Sequence, residues 1–494
     1  MVAQELVGGL SHWREGEGPA YQRLASALKE AIESGGYPAG YRFPAERVLA
    51  RELSVSRTTV VGAYEQLRQD GWLESRQGSG SRVSRRSLSA VRPTDRTVRA
   101  SRAFERNTVF RSLVESTGST VEFLGAHLPG AAEFLDDALR HTREDLSGWL
   151  SHPGYTPMGM APLRESIAAH LERGGLPTRA EQVLVTHGAQ QAIVLAAQLY
   201  LQAGDAVVLE DPTYLGAIDV FTSAGARLIP VPTGERGVRV DSLRETFFRE
   251  SPRIAYLMPT VHNPLGSIVP DAARREIVQL AESRGVPIIE DHTLADLTLG
   301  DSAPPPPLAA YARKGSVLTV GSLSKLIWGG LRVGWIRAPE SVITSLARLK
   351  VMSDLGNSVI SQAVATRLLG RVDEIRESRR ALLRDRLELA ARELERMLPD
   401  WIWHEPAGGL SLWVRLPRGN GPEFAEVALR HGVSVVAGST CSPRGAYPEF
   451  LRIPFVQEKA VLRDGIRRLA EAWKAYSPSA RPAGRERASL DVLV

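Results

Sequence analysis

Lys325 has the most distinctive chemistry in this chain, because it follows an apolar run at 317–320 that is typical of a buried β-strand. A lysine at such a position can form a Schiff base with an aldehyde, since desolvation and neighbouring cations lower its pKa. Two hydroxyls and a guanidinium suited to a phosphate flank it, namely Ser322, Ser324 and Arg332. This combination predicts a site for a phosphorylated aldehyde, and pyridoxal phosphate (PLP) is the cofactor that fits it.

Two other strand ends offer groups that such a cofactor needs. Asp291 closes a run at 287–291, where its carboxylate could keep the ring nitrogen of PLP protonated, although a lone aspartate there is more often a helix cap. Residues 186–192 follow another run and open a helix. Backbone N–H groups at this helix start would face an anion, and they belong to Gly188, Ala189 and Gln190. Alone, that motif is a weak signal.

Three further residues complete the candidate pocket. Tyr214 could stack on the cofactor ring, although a core aromatic is equally consistent with its position. Asn263 offers an amide to the ring hydroxyl. Arg452, on an expected strand, suits the two-point grip of an effector carboxylate, and a surface ion pair is the alternative.

The elements that position these residues alternate, from about residue 150, between short apolar runs and helical stretches. This pattern predicts an α/β fold with a mostly parallel sheet covered by helices on both faces. The expected strands are 183–186, 206–210, 227–231, 254–258, 287–291 and 316–320. A long charged helix at 371–398 and a smaller α+β lobe at 401–455 are expected to follow.

The amino-terminal residues predict three helices followed by two short strands. The first helix, 20–34, has an apolar face formed by Tyr21, Leu24, Leu28 and Ile32. The second helix begins after Pro44, and its side chains Val48, Leu49 and Leu53 are expected to point into the core. Ser56 is a suitable N-cap for a third helix through Asp70, and strands at 72–75 and 81–83 complete a winged helix-turn-helix.

Helix-turn-helix domains read DNA with the amino end of the recognition helix. Here that end offers a guanidinium for a guanine edge and hydroxyls for phosphates, from Ser56, Arg57, Thr58 and Thr59. Arg47, on the preceding helix, is placed to meet the DNA backbone, and Gln77 and Gly78 at the wing tip could approach the minor groove. A single arginine usually only solvates a helix surface, so the prediction depends on the joined pattern.

Charge and composition bound the remaining organisation. The net charge of +5 is modest, but nine arginines lie between Arg82 and Arg111 against two acidic residues. The single cysteine, Cys441, excludes an internal disulfide framework and fits a reducing cytosol. With no secretory signal and no run of ~18 apolar residues, we expect a cytoplasmic protein that has no contact with a membrane.

Four segments are therefore predicted along the chain. They are a winged helix-turn-helix at 15–83, a flexible basic linker at 84–118, a PLP-binding effector domain at 119–476 and a disordered tail at 477–494. Within the effector domain we expect a large lobe at about 160–370 and a small lobe at about 371–476.

The segment FPAERVLARELSVSRTTV (43–60) closely resembles the GntR family of winged-helix regulators, and residues 63–80 continue the match. The resemblance implies contacts with double-stranded operator DNA by Arg47, Arg57, Thr58, Thr59 and Gly78. The pocket motifs, in their order over about 330 residues, resemble the fold-type-I aminotransferase superfamily. The whole chain is similar to the MocR subfamily, in which the two domains are fused.

This second resemblance implies a role for each pocket residue: Lys325 as the Schiff-base lysine, Asp291 as the partner of the ring nitrogen, Arg332 as a phosphate ligand, Asn263 and Tyr214 as ring contacts, Arg452 as the effector-carboxylate site, and Tyr155 in a loop near the pocket. It also implies a head-to-tail, domain-swapped homodimer that reads two half-sites. One position departs from the family, which usually has a tyrosine two residues after the aspartate. Here Thr293 supplies at most a shorter hydroxyl to the ring, which weakens the case for efficient transamination.

The leading hypothesis is a transcriptional regulator that binds operator DNA and senses PLP, or an amine or amino acid that forms a Schiff base with it. A working aminotransferase with an accessory amino-terminal domain is the alternative, and partial transaminase chemistry without physiological turnover stays open. A third hypothesis is a DNA-binding protein that is independent of any effector and whose pocket is a relic. The effector, the operator and the direction of regulation do not follow from the sequence.

Overall fold

The computed structural model describes residues 13, 19–33, 37, 41–70, 72–76, 80–84 and 120–477. The chain divides into two compact units, Met1–Ala100 and Ser101–Val494. Gln77 and Gly78 at the predicted wing tip lie outside the described residues, as do the predicted linker from residue 85 to 118 and the predicted tail from residue 478.

The first unit consists of three helices and an antiparallel pair of strands, as predicted. Their bounds are α1 Ala20–Glu33, α2 Glu46–Glu52, α3 Arg57–Gln69, β1 Leu73–Arg76 and β2 Gly80–Val83. The side chain of Ser56 accepts a hydrogen bond from the backbone N–H of Thr59 at 3.1 Å, which confirms the expected cap of the third helix.

The core of the first unit confirms most of the predicted apolar faces. Fully or almost fully buried side chains from the three helices pack together, among them Leu24, Leu28, Ile32, Leu49, Leu53, Val60, Tyr64 and Leu67. Two predictions were wrong, because Tyr21 is 37% and Val48 is 45% exposed. Tyr21 lies in the first turn of α1 over Gly62, at the rim of the core. Val48 precedes Leu49, so it points about 100° away from the buried side of the short helix α2.

The second unit contains an eight-stranded sheet that confirms the predicted α/β class. Its strands are β4 Val183–Thr186, β5 Ala206–Asp211, β6 Arg227–Gly234, β7 Gly237–Val238, β8 Ile254–Leu257, β9 Ile288–Asp291, β10 Val317–Ser322 and β11 Gly334–Arg337. The order across the sheet is β4-β11-β10-β9-β8-β5-β6-β7. The central pairs from β10 to β6 are parallel, and β11 and β7 pair antiparallel with their neighbours.

The second unit also contains helices before, between and after these strands. Their bounds are α4 Ala132–Ser147, α5 Ala161–Arg173, α6 Ala189–Tyr200, α7 Leu215–Ser223, α8 Val240–Glu250, α9 Asp271–Arg284, α10 Leu308–Tyr311, α11 Glu340–Val351, α12 Val359–Gly370 and α13 Val372–Met397. Short 3₁₀ turns occupy Ala180–Gln182, Gly329–Leu331 and Gly438–Cys441. The predicted long charged helix is α13. In the described part of the chain, no helix combines the length and the apolar character needed to cross a lipid bilayer.

A second sheet of five strands forms the smaller lobe. Its elements are β3 Val121–Phe123, β12 Ile402–Trp403, β13 Ser411–Arg415, α14 Gly421–Arg430, β14 Val433–Ala437, β15 Phe450–Pro454 and α15 Lys459–Ala475. The strand order is β12-β13-β15-β14-β3. Strand β3 comes from far upstream in the chain and pairs parallel with β14 at the edge of this sheet. The sequence did not predict that strand.

The parallel strands fix where the pocket lies. Asp211, Asp291 and Ser322 end β5, β9 and β10, so all three lie at the carboxyl edge of the large sheet. Asp291 pairs with Val320, two residues before Ser322. Ligands of open α/β sheets bind at this edge, and the candidate residues around Lys325 gather there.

Candidate functional site

Lys325 lies three residues beyond β10, and its Nζ donates a hydrogen bond to the carbonyl oxygen of Ala126 at 2.7 Å. Burial, followed by the charge of Arg452 and against the opposing effect of Asp291, lowers the pKa of this amine to about 8. A lowered pKa leaves more of the amine unprotonated near neutral pH, and the unprotonated form is the nucleophile. The surroundings of Lys325 therefore suit attack on an aldehyde.

Asp291 is almost completely buried, and each of its carboxylate oxygens accepts a hydrogen bond. Tyr256 donates its phenol to Oδ2 at 2.6 Å, and the backbone N–H of Thr293 donates to Oδ1 at 2.9 Å. Tyr256 was not among the predicted site residues. A tyrosine inside an apolar strand gives no functional signal until the neighbouring strand is known, and here that strand is β9.

A cradle for an anion forms where α6 begins. Gly188 caps this helix with φ of 113°, and the next two residues, Ala189 and Gln190, start it. The first N–H groups of a helix have no acceptor inside the helix and favour an anion. The guanidinium of Arg332 donates to the carbonyl of His187, and its Nη2 lies 3.4 Å from the place of a Cβ on Gly188. The structure thus brings Arg332 to the start of α6.

The two predicted serines hold the turn that leads from β10 to Lys325. The Ser322 hydroxyl lies 3.2 Å from the carbonyl oxygen of Val333 and 3.0 Å from the Ser324 hydroxyl. It also accepts a hydrogen bond from the backbone N–H of Ser324 at 3.2 Å. Ser322 therefore orients the turn, and Ser324 is the serine placed closer to Lys325 in the chain.

Tyr214 and Gln190, both predicted as cofactor contacts, bind each other. Tyr214 Oη donates to Gln190 Oε1 at 3.0 Å, and Gln190 Nε2 donates to the carbonyl of Gly216 at 3.1 Å. The tyrosine ring lies over Gly216, where a Cβ would come within 2.5 Å of its Cζ. Burial, and then the charge of Asp291, raise the pKa of Tyr214, so this phenol stays protonated beside the pocket.

Buried polar atoms without partners mark the remaining positions. Thr293 Oγ1 and Arg452 Nε have no hydrogen-bond partner among the described residues. Arg452 is 4% exposed, and its Nη2 donates to the carbonyl of Leu124. Asn263 is partly buried in the loop that follows β8. These groups are suited to a ligand that brings a hydroxyl and a carboxylate.

One segment across the pocket was not predicted from the sequence. Residues 124–127 follow β3, and their carbonyls at Leu124 and Ala126 accept the hydrogen bonds from Arg452 and Lys325. The ring of His127 folds over Gly125, and partial burial followed by the charges of Lys325 and Arg452 lowers its pKa. Because this segment lies about 200 residues before Lys325, local patterns give no sign of its role.

Tyr155 is not brought into this cluster within the chain. Its side chain is 67% exposed. The adjacent backbone packs on the loop before α12, since a Cβ on Gly356 would lie 2.8 Å from the backbone nitrogen of Thr156. Tyr155 is therefore presented on a surface beside that loop.

The predicted DNA-binding residues gather at the amino end of α3, where the hydroxyls largely bind each other. Ser56 Oγ lies 2.8 Å from Thr59 Oγ1 and 3.1 Å from Thr58 Oγ1. Arg57 is exposed and pairs with Glu46 at 3.4 Å. Arg47 is exposed on α2. Ser56 and Thr59 thus stabilise the helix start, while the two arginines and Thr58 face solvent.

Two family profiles match this chain. Residues 20–83 match "Bacterial regulatory proteins, gntR family", and residues 143–469 match "Aminotransferase class I and II". In the described residues there is no cluster of acidic, histidine or cysteine side chains that could hold a metal ion.

Similar proteins include regulators and aminotransferases. The HTH-type transcriptional regulator YdfD of Bacillus subtilis is 32% identical over 85% of this chain and 89% of its own length. The probable rhizopine catabolism regulatory protein MocR of Rhizobium meliloti is 29% identical over 82% of this chain and 83% of its own length. The 2-aminoadipate transaminase of Thermus thermophilus is 33% identical over 65% of this chain and 81% of its own length.

Solved structures match the second unit. LysN, an α-aminoadipate aminotransferase from Thermus thermophilus crystallised with N-(5'-phosphopyridoxyl)-L-leucine, superposes with a TM-score of 0.69 at 30% identity, over 76% of this chain and 97% of that one. The kynurenine aminotransferase of Pyrococcus horikoshii superposes with a TM-score of 0.69 at 27% identity, over 76% of this chain and 95% of that one.

Proposed function

The chain belongs to the MocR-type regulators, in which a GntR-type DNA-binding domain is fused to an aminotransferase class I and II domain, and we propose that it senses PLP or an amino compound that reacts with PLP. The observation that carries the proposal is the gathering of Lys325, Asp291 and the α6 cradle at one sheet edge, in a chain that also carries a DNA-binding domain. As DNA is the partner, we also propose a cytoplasmic location.

The residues of the pocket fit PLP group by group. Bound PLP supplies an aldehyde for covalent attachment and a ring that accepts electrons. Lys325 is the amine for the aldehyde, and Asp291 is the anion for the ring nitrogen. The phosphate would be held by Arg332, Ser322, Ser324 and the helix start at Gly188, Ala189 and Gln190. Tyr214 offers a ring face, and Asn263 and the unpartnered hydroxyl of Thr293 would serve the ring hydroxyl.

The effector in this proposal is a compound with an amine and a carboxylate. Arg452 is buried, and its Nε has no partner among the described residues. A buried donor of this kind is satisfied by a carboxylate, which accepts from two nitrogens of a guanidinium at once. The amine of the same compound would then lie on the Lys325 side of the pocket, because Arg452 is close enough to Lys325 to lower its pKa.

We propose that segment 124–127 couples ligand binding in the pocket to the chain upstream of β3. It follows β3, the first described strand after the predicted linker, and its carbonyls bind the cationic groups of Lys325 and Arg452. A ligand that binds Lys325 and Arg452 would compete with the hydrogen bonds that these side chains make to segment 124–127. Such a ligand regulates DNA binding only if it binds one arrangement of the chain more tightly than another.

We further propose a homodimer whose contact surface adjoins the pocket. Large apolar side chains are exposed on and beside the loop before α12, namely Tyr155, Met352, Leu355 and Ile360. The same loop contacts the start of α6, since Gln191 Nε2 donates to Asp354 Oδ2 at 2.6 Å. A group of exposed large apolar side chains next to a pocket favours a second copy of the chain as its cover. The head-to-tail exchange of DNA-binding heads and the two half-sites remain part of this proposal.

DNase footprinting on the chromosomal DNA around the gene tests the function, with the full chain alone, with PLP, and with PLP plus a panel of amino acids. We expect a protected site whose affinity changes with ligand in the wild-type protein. Lys325→Ala should bind the same site without any response to ligand, and Lys314→Ala, which changes an exposed lysine, should respond like the wild type. Absence of specific protection under every condition would reject the proposal.

An active aminotransferase is the second candidate, and the identity of 33% to the 2-aminoadipate transaminase of Thermus thermophilus favours it. Multiple turnovers with an amino donor and a keto acceptor would establish it. A single stoichiometric reaction that stops, together with a change in DNA affinity, supports sensing instead. If the protein instead regulates without any effector, the purified protein should be colourless and Lys325→Ala should not affect DNA binding.

A further inference from the structure

Asp291 accepts a hydrogen bond from Tyr256, a side chain to which no role in the pocket has been assigned so far. Tyr256 is fully buried in the middle of β8, and its phenol donates to Asp291 Oδ2 at 2.6 Å. The other carboxylate oxygen accepts from the backbone N–H of Thr293 at 2.9 Å. Among the described residues, Tyr256 is thus the one side chain that donates a hydrogen bond to Asp291.

Sheet register explains why Tyr256 reaches this carboxylate. Strands β8 and β9 are parallel, and Tyr256 pairs with Ile289. Side chains alternate between faces, so Tyr256, Ile289 and Asp291 point to the same face of the sheet. The ring of Phe221 packs against the Tyr256 ring in a T-shaped contact at 5.8 Å, which fixes its direction.

The groups around Asp291 leave Tyr256 as a permanent donor. Burial raises the pKa of Tyr256 well above its usual range, and the charge of Asp291 adds to this effect, so the phenol keeps its proton. Glu210, at the end of β5, has its pKa raised to about 8 mainly by burial, and is therefore mostly neutral at pH 7. Tyr214 is protonated too, and Lys325 is the cation on the pocket side.

We propose that Tyr256 is a positioning residue that keeps Asp291 ionised and fixed in direction, so that the proton between Asp291 and the ring nitrogen of PLP stays on the nitrogen. A donor to a carboxylate stabilises its anionic form and lowers its affinity for a proton. Without that donor, Asp291 competes better for the shared proton, and its free oxygen can rotate. The inference rests on the proposed function, because it requires PLP in the pocket.

The test uses the full chain loaded with PLP that carries ¹⁵N in the ring. In the wild-type protein we expect the ¹⁵N resonance of a protonated ring nitrogen. Tyr256→Phe should bind PLP, but its resonance should move toward that of a neutral pyridine. The matched control is Tyr311→Phe, which removes a tyrosine-to-aspartate hydrogen bond to Asp271 at the surface and should leave the resonance unchanged.

A second variant keeps the test decisive if Tyr256→Phe fails to fold. Fluorotyrosine at position 256 preserves the shape of the side chain and makes the phenol a stronger donor. It should hold the ring nitrogen protonated to a higher pH than the wild type does. A wild-type resonance in Tyr256→Phe, or a fluorotyrosine variant whose ring nitrogen loses its proton at the same pH as in the wild type, overturns the role of Tyr256. A wild-type protein that takes up no PLP instead overturns the proposed function, and the inference with it.

Discussion

At the amino end of α3 the candidate DNA contacts Arg57 and Thr58 are exposed, whereas Asp291 and Arg452 in the pocket are almost completely buried. Arg57 pairs with Glu46 and Thr58 with the Ser56 hydroxyl, and both side chains stay solvated. The pocket side chains are oriented by buried neighbours, as Asp291 is by the phenol of Tyr256. We therefore expect function in the first region to depend on groups presented to solvent, and function in the second to depend on how the core surrounds its polar groups.

The comparison is tested most strongly by Lys325→Ala. This variant should lose covalent attachment of PLP completely, because Lys325 is the lysine whose amine lies close to Asp291 and Arg452. DNA affinity without ligand should stay at the wild-type level. Borohydride reduction followed by peptide mass spectrometry measures the attachment, and fluorescence anisotropy measures the affinity. Attachment at another lysine would contradict the placement of the site.

Leu28→Ala probes whether the two regions are stable independently. Leu28 is fully buried in the core of the first unit, so its truncation should cost about 2–5 kcal/mol of unfolding free energy there. DNA binding should be lost at moderate temperature while PLP uptake persists. Calorimetry should show one transition moved to lower temperature and the other unchanged. A parallel loss of PLP uptake would mean that the units fold as one.

Arg57→Ala should weaken specific DNA binding by about 1–3 kcal/mol if its guanidinium contacts a base edge. The ion pair with Glu46 is at the surface, and such pairs contribute ~0–1 kcal/mol, so stability should hardly change. PLP uptake should be unaffected. The control, Arg244→Ala, removes a surface arginine of the second unit, and equal losses in both variants would indicate general charge attraction.

The pH dependence of covalent attachment sharpens the description of the pocket. With a pKa of about 8, the unprotonated fraction of Lys325 should rise steeply as pH increases through 8, so the attachment rate should rise in the same window. Arg452→Gln removes a charge that lowers this pKa and should shift the profile to higher pH. Arg418→Gln, a change at an arginine that stacks on Trp473, should leave the profile in place.

Ser56→Ala is the smallest effect expected. Loss of the cap at the start of α3 should destabilise the first unit by about 1 kcal/mol. Part of any loss in DNA affinity would then come from fraying of the recognition helix. A larger loss of affinity, with unchanged stability, would show instead that the Ser56 hydroxyl contacts DNA.

Local patterns were enough to predict the helices and strands of the first unit, six strands of the large sheet and the reactive residues that follow strands in the chain. The runs at 183–186 and 206–210 became β4 and β5 almost without adjustment, because buried strands need continuous apolar residues. Ser56 was recognisable as a cap from its residue type and position alone. The residues expected after β9 and β10 lie near one another because the carboxyl ends of parallel strands meet at one edge of the sheet.

Contacts between distant segments could not be predicted in this way. Tyr256 faces Asp291 only because β8 and β9 are neighbours in the sheet, and the sequence of neither strand indicates that order. Strand β3 has three residues, too few for a periodic signal. Val48 was misplaced because neighbouring apolar residues on a seven-residue helix leave the buried side ambiguous.

The edge position of β3 has a mechanical consequence. Because this strand pairs in parallel with β14, a force applied along the strand at its upstream end would load the β3–β14 ladder in shear. Three residues give a short ladder, although Phe123 anchors it against Gly465 in α15. Any slip of the strand would displace Leu124 by a similar distance, directly at the guanidinium of Arg452. A displacement of this edge strand would therefore change the hydrogen bond that Arg452 makes in the pocket.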